Sequence, residues 1–427
     1  MMKSKKLNVS FLPLSLSLTI LIGLMAMTLT ACSDVPSTVQ TTSSAAESTV
    51  AAKITFDTCS GSNVLTEEIG KDGTIAMPAN PTWKSDYTFM GWYFDKDYTT
   101  EFVNSGLSAD ATVYAKWTTA GKTVRTQLLD LYEVTEDISN PEEGWAWDAA
   151  SRTLTLSDFT LDIAQLDVDG SSVGLVLPKC PNEPNIDGAP RHKHTPDCPT
   201  NTLILTDGTV NTVDVSRATN EYYSAPVYSS NALTIKSADS GTPGKLNVTA
   251  AAQSKDISIA IYSHGDFTLE SGDVSAIAGK SIDDISVGIQ AALGNLYIKS
   301  GTVTAAGGTC ESMSATKAAF GSFGLKADEI QIDGGTVTAT GGAAKDSLSS
   351  GILGAQSLRL NGGNITAKGD TAAVVSFETL TVEGITVNGT TANITQAKDV
   401  DPNKNVLHTF VDNKAAIIKE VSIQPLT

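Results

Sequence analysis

The feature that most limits what this chain can become is that it repeats itself between Val173 and Gly389. One unit runs Gly288-Ile289-Gln290-Ala291, Leu296-Tyr297-Ile298 and Gly301-Thr302-Val303. The pattern returns as Gly324-Leu325-Lys326-Ala327, Ile330-Gln331-Ile332 and Gly335-Thr336-Val337, then as Gly351-Ile352-Leu353, Leu358-Arg359-Leu360 and Gly363-Asn364-Ile365. Before them stands Ala260-Ile261-Tyr262-Ser263 with Phe267-Thr268-Leu269, and after them Ala373-Val374-Val375-Ser376 with Leu380-Thr381-Val382. More distant copies lie at Pro226-Val227-Tyr228-Ser229 and at Gly174-Leu175. Each unit has a small residue beside an apolar one, a short alternating strand, a Gly turn and a second alternating strand. Internal periods of roughly 20–50 residues mark stacked supersecondary units. Alternation with period two puts one set of side chains inside and the next outside. One such coil cannot bury its own apolar set, whereas a stack shares a continuous interior. The expectation is an all-β parallel β-helix over 173–389.

In the unit at Gly288 the period predicts Val287, Ile289, Ala291, Leu296, Ile298, Val303 and Ala305 inside, and Gln290, Tyr297, Lys299, Thr302 and Thr304 outside. The small column Ala260, Gly288, Gly324, Gly351 and Ala373 falls in the outward set. It is expected to form a shallow trough, either open to a polymer or covered by the protein's own loops. The copies are unevenly spaced, so loops of variable length should leave one side of a constant core.

The N-terminal region has a different logic. Lys3, Lys5 and Lys6 precede an apolar run from Phe11 to Leu29, the layout of an export signal. The run ends in Leu29-Thr30-Ala31-Cys32, which resembles the bacterial lipoprotein signal. That resemblance implies removal of residues 1–31, lipidation of Cys32 and an anchor at the outer face of the cell membrane. Residues up to 52 are rich in Ser, Thr and Ala and suit a flexible tether. The formal net charge of −18, with no basic cluster, repels phosphate backbones and argues against nucleic acid as a partner.

Residues 53–118 carry Trp83, Trp92 and Trp117 with short strand-like runs, and in so small a module the aromatics are expected to be the core. Ile54-Thr55-Phe56-Asp57, Pro81-Thr82, Tyr87-Thr88-Phe89-Met90-Gly91-Trp92-Tyr93, Asp95 and Ala111-Thr112-Val113-Tyr114-Ala115-Lys116-Trp117 resemble the internalin B-repeat, or Listeria–Bacteroides repeat. The resemblance implies a small β-grasp-like fold used as a spacer or adhesive unit on bacterial surfaces. Cys59 departs from the family pattern. Residues 119–172 form a bridge in which Trp145 and Trp147 point the same way, as a lid on the first coil or as a sugar platform. Gly144-Trp145-Ala146-Trp147-Asp148 with Leu154-Thr155-Leu156 resembles the entry to bacterial surface proteins described as carbohydrate-binding-domain containing. That likeness implies a right-handed β-helix that binds acidic polysaccharide with calcium. Residues 390–427, with strand-like runs at 406–410 and 415–423, should cap the far end.

Three groups of side chains could carry chemistry. Cys180, His192, His194 and Cys198 lie within one inserted loop. They fit a disulfide, a tetrahedral Zn²⁺ site or a chance cluster. Asp256, Asp283, Asp284, Asp346 and Asp370 precede successive coils and are hard oxygen ligands suited to Ca²⁺, or simply solvated acids. Outward positions Tyr262, Gln290, Tyr297, Lys299, Lys326 and Arg359 are candidates for a ligand face. Enzymes that cleave acidic polysaccharide need a Lys or Arg base near calcium, or paired carboxylates. Lys299 and Arg359 occur singly, and no Asp-Asp pair sits inside a strand. The leading expectation is therefore a lipid-anchored, non-catalytic protein that binds polysaccharide or a host or cell-surface glycan. A polysaccharide lyase or hydrolase and a structural or protein-binding stalk are the alternatives.

Overall fold

The computed structural model describes residues 51–59, 65–163, 171–180, 198–218, 222–238, 241–311, 320–388, 394–397, 407–412, 414 and 416–425. The export signal, Cys32, most of the tether, His192 and His194 lie outside the described residues. All regular structure among those described is β-strand.

The N-terminal module is a mixed sheet. Lys53–Asp57 runs antiparallel to Leu65–Glu68 and parallel to Ala111–Thr119, which is antiparallel to Thr88–Tyr93. Two middle strands running parallel inside this order make a β-grasp sheet. Alternation sends Ile54, Phe56, Val113, Ala115 and Trp117 into one core. Phe89 and Trp92 would face opposite ways in a regular strand. The register slips between Phe89 and Gly91, and Gly91 takes φ 127°, so both rings reach the same side. Phe89 meets Trp92 at 5.3 Å and Trp117 at 5.6 Å, edge to face. Trp117 Nε1 donates to Thr58 O at 2.9 Å, so the largest buried ring leaves no polar atom unpaired.

The rest is a parallel β-helix. Every neighbouring pair of strands along its body is parallel and nearly in register. Leu233, Phe267, Leu296, Ile330, Leu358 and Leu380 stand one above another. Leu175, Val227, Ile261, Ile289, Leu325, Ile352 and Val374 do the same. A third column runs Leu246, Val274, Val303, Val337 and Ile365. These columns form one continuous interior, with nearly all members fully buried. Between the first and third columns the chain turns at Gly272, Gly301, Gly335 and Gly363, all at positive φ. A Cβ on Gly301 would lie 2.3 Å from Gly272 O, so the stacked corners admit only glycine at this spacing.

Three features differ from the sequence reading. The stack begins a coil earlier than residue 173: Leu129–Asp130, Thr153–Leu156 and Thr160–Asp162 already pair in parallel with strands of the next coil. Trp145 and Trp147, on a strand antiparallel to Thr153–Leu156, pack into the same interior and close that end.

The small column does not face outward. Strand Ile257–Ser263 pairs with Ile285–Ala291 through Ile259↔Val287 and then Ile261↔Ile289, stepping over Ala260 and Gly288. A Cβ on Gly324 would meet Thr340 N at 2.6 Å, and one on Gly351 would meet Ala339 O at 2.4 Å. The column is pressed against the backbone of the third strands, and there is no trough. The strand bends at the small residue, and that bend reverses the parity of everything before it. Val287 therefore lies outside the main interior, in a second apolar cluster with Ile259, Tyr262 and Phe323.

Sequence reading also missed a serine ladder two residues before the small column. Ser224, Ser258, Ser286 and Ser322 are in register and fully buried. Ser286 Oγ donates to Gly279 O at 2.7 Å and accepts from Gly308 N at 2.6 Å. Ser322 Oγ donates to Gly308 O and accepts from Gly342 N, both at 2.6 Å. The hydroxyls of Ser258, Ser286 and Ser322 each fasten Gly backbone of the loop beside them. Ser322→Ala is expected to cost about 1 kcal/mol in urea denaturation, because it strands a half-buried N–H and a half-buried C=O. A change below about 0.5 kcal/mol would mean that the loops hold without it.

At the far end Glu420–Pro425 lies antiparallel to Asn364–Lys368 and to Ile385–Val387. Leu407–Phe410 meets Ala372–Ser376 through an antiparallel bridge at Ser376 and His408. The reversed strands cover the last rung's open edge.

Candidate functional site

The six proposed ligand-face residues divide between two faces. Tyr262, Gln290 and Lys326 share one column, with Tyr228 below and Leu353 above. Their strands flank the bend, so their side chains converge on the second apolar cluster. The Tyr228 and Tyr262 rings stack at 5.2 Å with planes 1° apart. Tyr262 OH shares a hydrogen bond with His264 Nδ1 at 3.1 Å. Tyr262 and Gln290 are each 6% exposed, too closed to lie flat against a sugar. Burial pulls the Lys326 ammonium below the usual lysine range, against the opposing charges of Asp328 and Asp284.

Tyr297, Lys299 and Arg359 lie on the other, open face. Successive rungs there present Thr268 and Glu270, Tyr297 and Lys299, Gln331 and Asp333, Arg359 and Asn361, then Thr381 and Glu383. Lys299 Nζ pairs with Glu270 Oε1 at 3.2 Å. Gln331 Nε2 donates to both oxygens of Asp333, and Asn361 Nδ2 donates to Asp333 Oδ1 at 2.9 Å. Asn295 Nδ2 donates to the Tyr297 hydroxyl at 3.0 Å. The Arg359 side chain is exposed and has no hydrogen-bond or ion-pair partner among the described residues. This face is a flat ladder of donors, acceptors and one ring. Rungs of a parallel sheet are about 4.8 Å apart, close to the length of one sugar ring. Ser275, Thr304, Thr338 and Thr366 form the expected hydroxyl ladder on the third strands.

The acids are brought together only in part. Asp256 and Asp284 precede residues paired in adjacent rungs, Ile257 and Ile285. Asp283 N is held by Lys255 O, and Asp370 N by Ser349 Oγ of the preceding coil. Asp346 sits in a left-handed turn, φ 56°, before the strand that starts at Leu348. Among the described residues no group of three or more His, Cys, Asp or Glu side chains is assembled for a metal ion.

A charged node joins the module to the first coils, and no sequence signal predicts it. Asp162 lies at the end of a first-coil strand with its side chain 1% exposed. Lys84 of the module reaches it at 2.6 Å and also pairs with Asp214 of the next coil at 3.0 Å. Arg217 pairs with Asp162 through its guanidinium and lies over the Trp83 ring, 4.5 Å from the centroid. The Tyr87 hydroxyl donates to Asp162 Oδ2 at 3.1 Å. Burial and the Asp162 charge push that phenol well above the ordinary tyrosine range, so it stays a donor. Burial favours neutral Lys84, but hydrogen bonds and charge from Asp162 and Asp214 outweigh it and raise the ammonium's pKa. Burial likewise opposes ionised Asp214, and hydrogen bonds from Ser216 and Lys84 outweigh it and lower the carboxyl's pKa. The module is thus a docked part of the solenoid's entry rather than a free spacer.

Residues 53–116 match the Listeria-Bacteroides repeat domain. No curated protein and no solved structure matches the chain.

Proposed function

We propose that this chain, which carries a Listeria–Bacteroides repeat module on the entry of a parallel β-helix, is a lipid-anchored cell-surface protein that binds carbohydrate without cleaving it. The single observation that carries the reading is the open ladder bearing Tyr297, Gln331, Arg359 and Asn361. It offers a ring face, amide donors and an unpaired guanidinium at intervals set by the rungs, which suits a polymer of hydroxyls and carboxylates. The repeat module, a domain of surface-associated proteins, and the lipoprotein-like signal at Cys32 support an extracellular position for that face. Of the acids, Asp256 and Asp284, which precede paired residues of adjacent rungs, are the calcium donors of the proposal.

The test is a glycan array on the full chain, with and without chelator. Acidic polysaccharides are expected to bind. Tyr297→Ala and Arg359→Ala are each expected to weaken binding about tenfold, the loss of roughly 1.4 kcal/mol typical of an interface anchor. Binding unmoved by both changes would remove this face from the proposal. Release of unsaturated or new reducing ends would overturn its non-catalytic part.

A further inference from the structure

Strands Leu175–Leu177 and Asn201–Leu205 belong to one coil, and the chain between them leaves and returns through a narrow neck. Cys180 and Cys198 stand on its two sides, 1% and 8% exposed, with their sulfurs 3.1 Å apart. The neck is built to hold them there. Pro178 O accepts from Arg152 at 2.7 Å and from the side-chain amides of Asn201 and Asn231 at 3.0 Å each. Arg152 also donates to Lys179 O at 2.9 Å and to Asn201 Oδ1 at 3.0 Å. Cys180 thus follows directly on Pro178 and Lys179, and Cys198 lies three residues before Asn201; Pro178, Lys179 and Asn201 are all held by these buried and part-buried hydrogen bonds.

The spacing separates the two bonded readings of this pair. Zinc holds each thiolate at about 2.3 Å, so two sulfurs on one tetrahedral ion stand about 3.8 Å apart. At 3.1 Å the pair is too close to share an ion and is one small approach from a covalent bond. We infer that Cys180 and Cys198 form a disulfide under oxidising conditions, a redox modification that clasps the neck of this loop.

The chemistry is thiol–disulfide exchange with a small-molecule or protein disulfide as oxidant. One cysteine, as thiolate, attacks a sulfur of the oxidant, forms a mixed disulfide and expels one thiolate. The second cysteine, having lost its proton, attacks the first cysteine's sulfur and expels the other thiolate. Two S–H bonds are lost, one S–S bond is gained, and the oxidant leaves as two thiols. Arg152 is near enough to Cys180 for their charges to interact. Burial, helped by Asp57, pushes Cys59 up to about 11, and burial pushes Cys310 up to about 12.

The experiment uses the full chain equilibrated with glutathione disulfide, alkylated in denaturant without reductant, digested and weighed. The expected product is one peptide pair joining Cys180 to Cys198, lighter by two hydrogen atoms than the separate peptides. Cys198→Ser should abolish that pair and leave Cys180 open to the oxidant or the alkylating agent, a result read on denatured protein and so independent of folding. Quantitative alkylation of both cysteines in the wild-type chain would overturn the inference. So would one zinc per chain with both thiols blocked until a chelator is added.

Discussion

Asp162→Ala is expected to lower the unfolding free energy by about 2–3 kcal/mol and to loosen the repeat module from the first coils. Breaking a buried ion pair by removing one partner costs about 3–5 kcal/mol, because the remaining charge is left without its counter-ion. The lower figure follows from exposure. The Lys84 and Arg217 side chains are 36% and 26% accessible, and water recovers part of the loss. Lys84 also keeps Asp214. Asp162→Asn should cost less, since it preserves the shape and an acceptor. Urea denaturation gives the size, and protease sensitivity of the module gives the site. A loss under about 0.5 kcal/mol with unchanged proteolysis would show that the aromatic contacts alone hold the joint.

The same node sets a pH window. The lowered carboxyl of Asp214 contributes stability above its unfolded pKa of about 3.9, and that contribution fades as the pH falls through the lower folded value. The raised ammonium of Lys84 contributes below its unfolded pKa of about 10.4, and its part is lost as the pH climbs through the higher folded value. Docking is expected to be strongest between these limits. A module that separates near neutral pH before the solenoid loses stability would contradict this assignment.

Gly324→Val is the second change of large expected effect, about 3 kcal/mol or more in urea, or failure to fold. A Cβ there would lie 2.6 Å from Thr340 N, 2.7 Å from Gly351 O and 2.8 Å from Ala305 O. All three are backbone atoms held in the sheets, so none can swing aside. Thr304→Val, on an open rung of the hydroxyl ladder, is the control and should stay within about 0.5 kcal/mol. Equal stability of the two variants would restore the outward trough that the sequence pattern implies.

The interior was legible because it depends on local alternation. Leu296, Ile330 and Leu358 stack as their period predicts, and the Gly turns fall at the corners. The side on which Val287 and the small column lie was not legible. A period-two pattern carries no mark of the bend that inverts it, and Ala260 or Gly288 fits either side by size. Tyr262 closes into that bend while Tyr297 lies on the strand beyond the next corner, although both occupy outward positions of their strands. A regular clue to the serine ladder was present in the spacing of Ser258, Ser286 and Ser322 from the following small residue. The Asp162 node gave no such clue, since Tyr87 lies 75 positions from Asp162 and Lys84 lies 130 from Asp214. Neither separation has a period.

The order of strands in the N-terminal sheet has a mechanical consequence. The chain enters at Lys53, and the strand paired beside it runs on to Thr119 before a short return through Lys122–Thr123, so Lys53 and Thr119 lie at opposite ends of two strands that run side by side in the same direction. A pull between those points slides one strand along the other. The rungs Ile54↔Ala111, Thr55↔Thr112, Phe56↔Val113 and Asp57↔Tyr114 then bear the load together, and none can be unzipped ahead of the rest. Drag on a ligand held by the solenoid would meet this shear-loaded ladder before it reached any attachment upstream of residue 53.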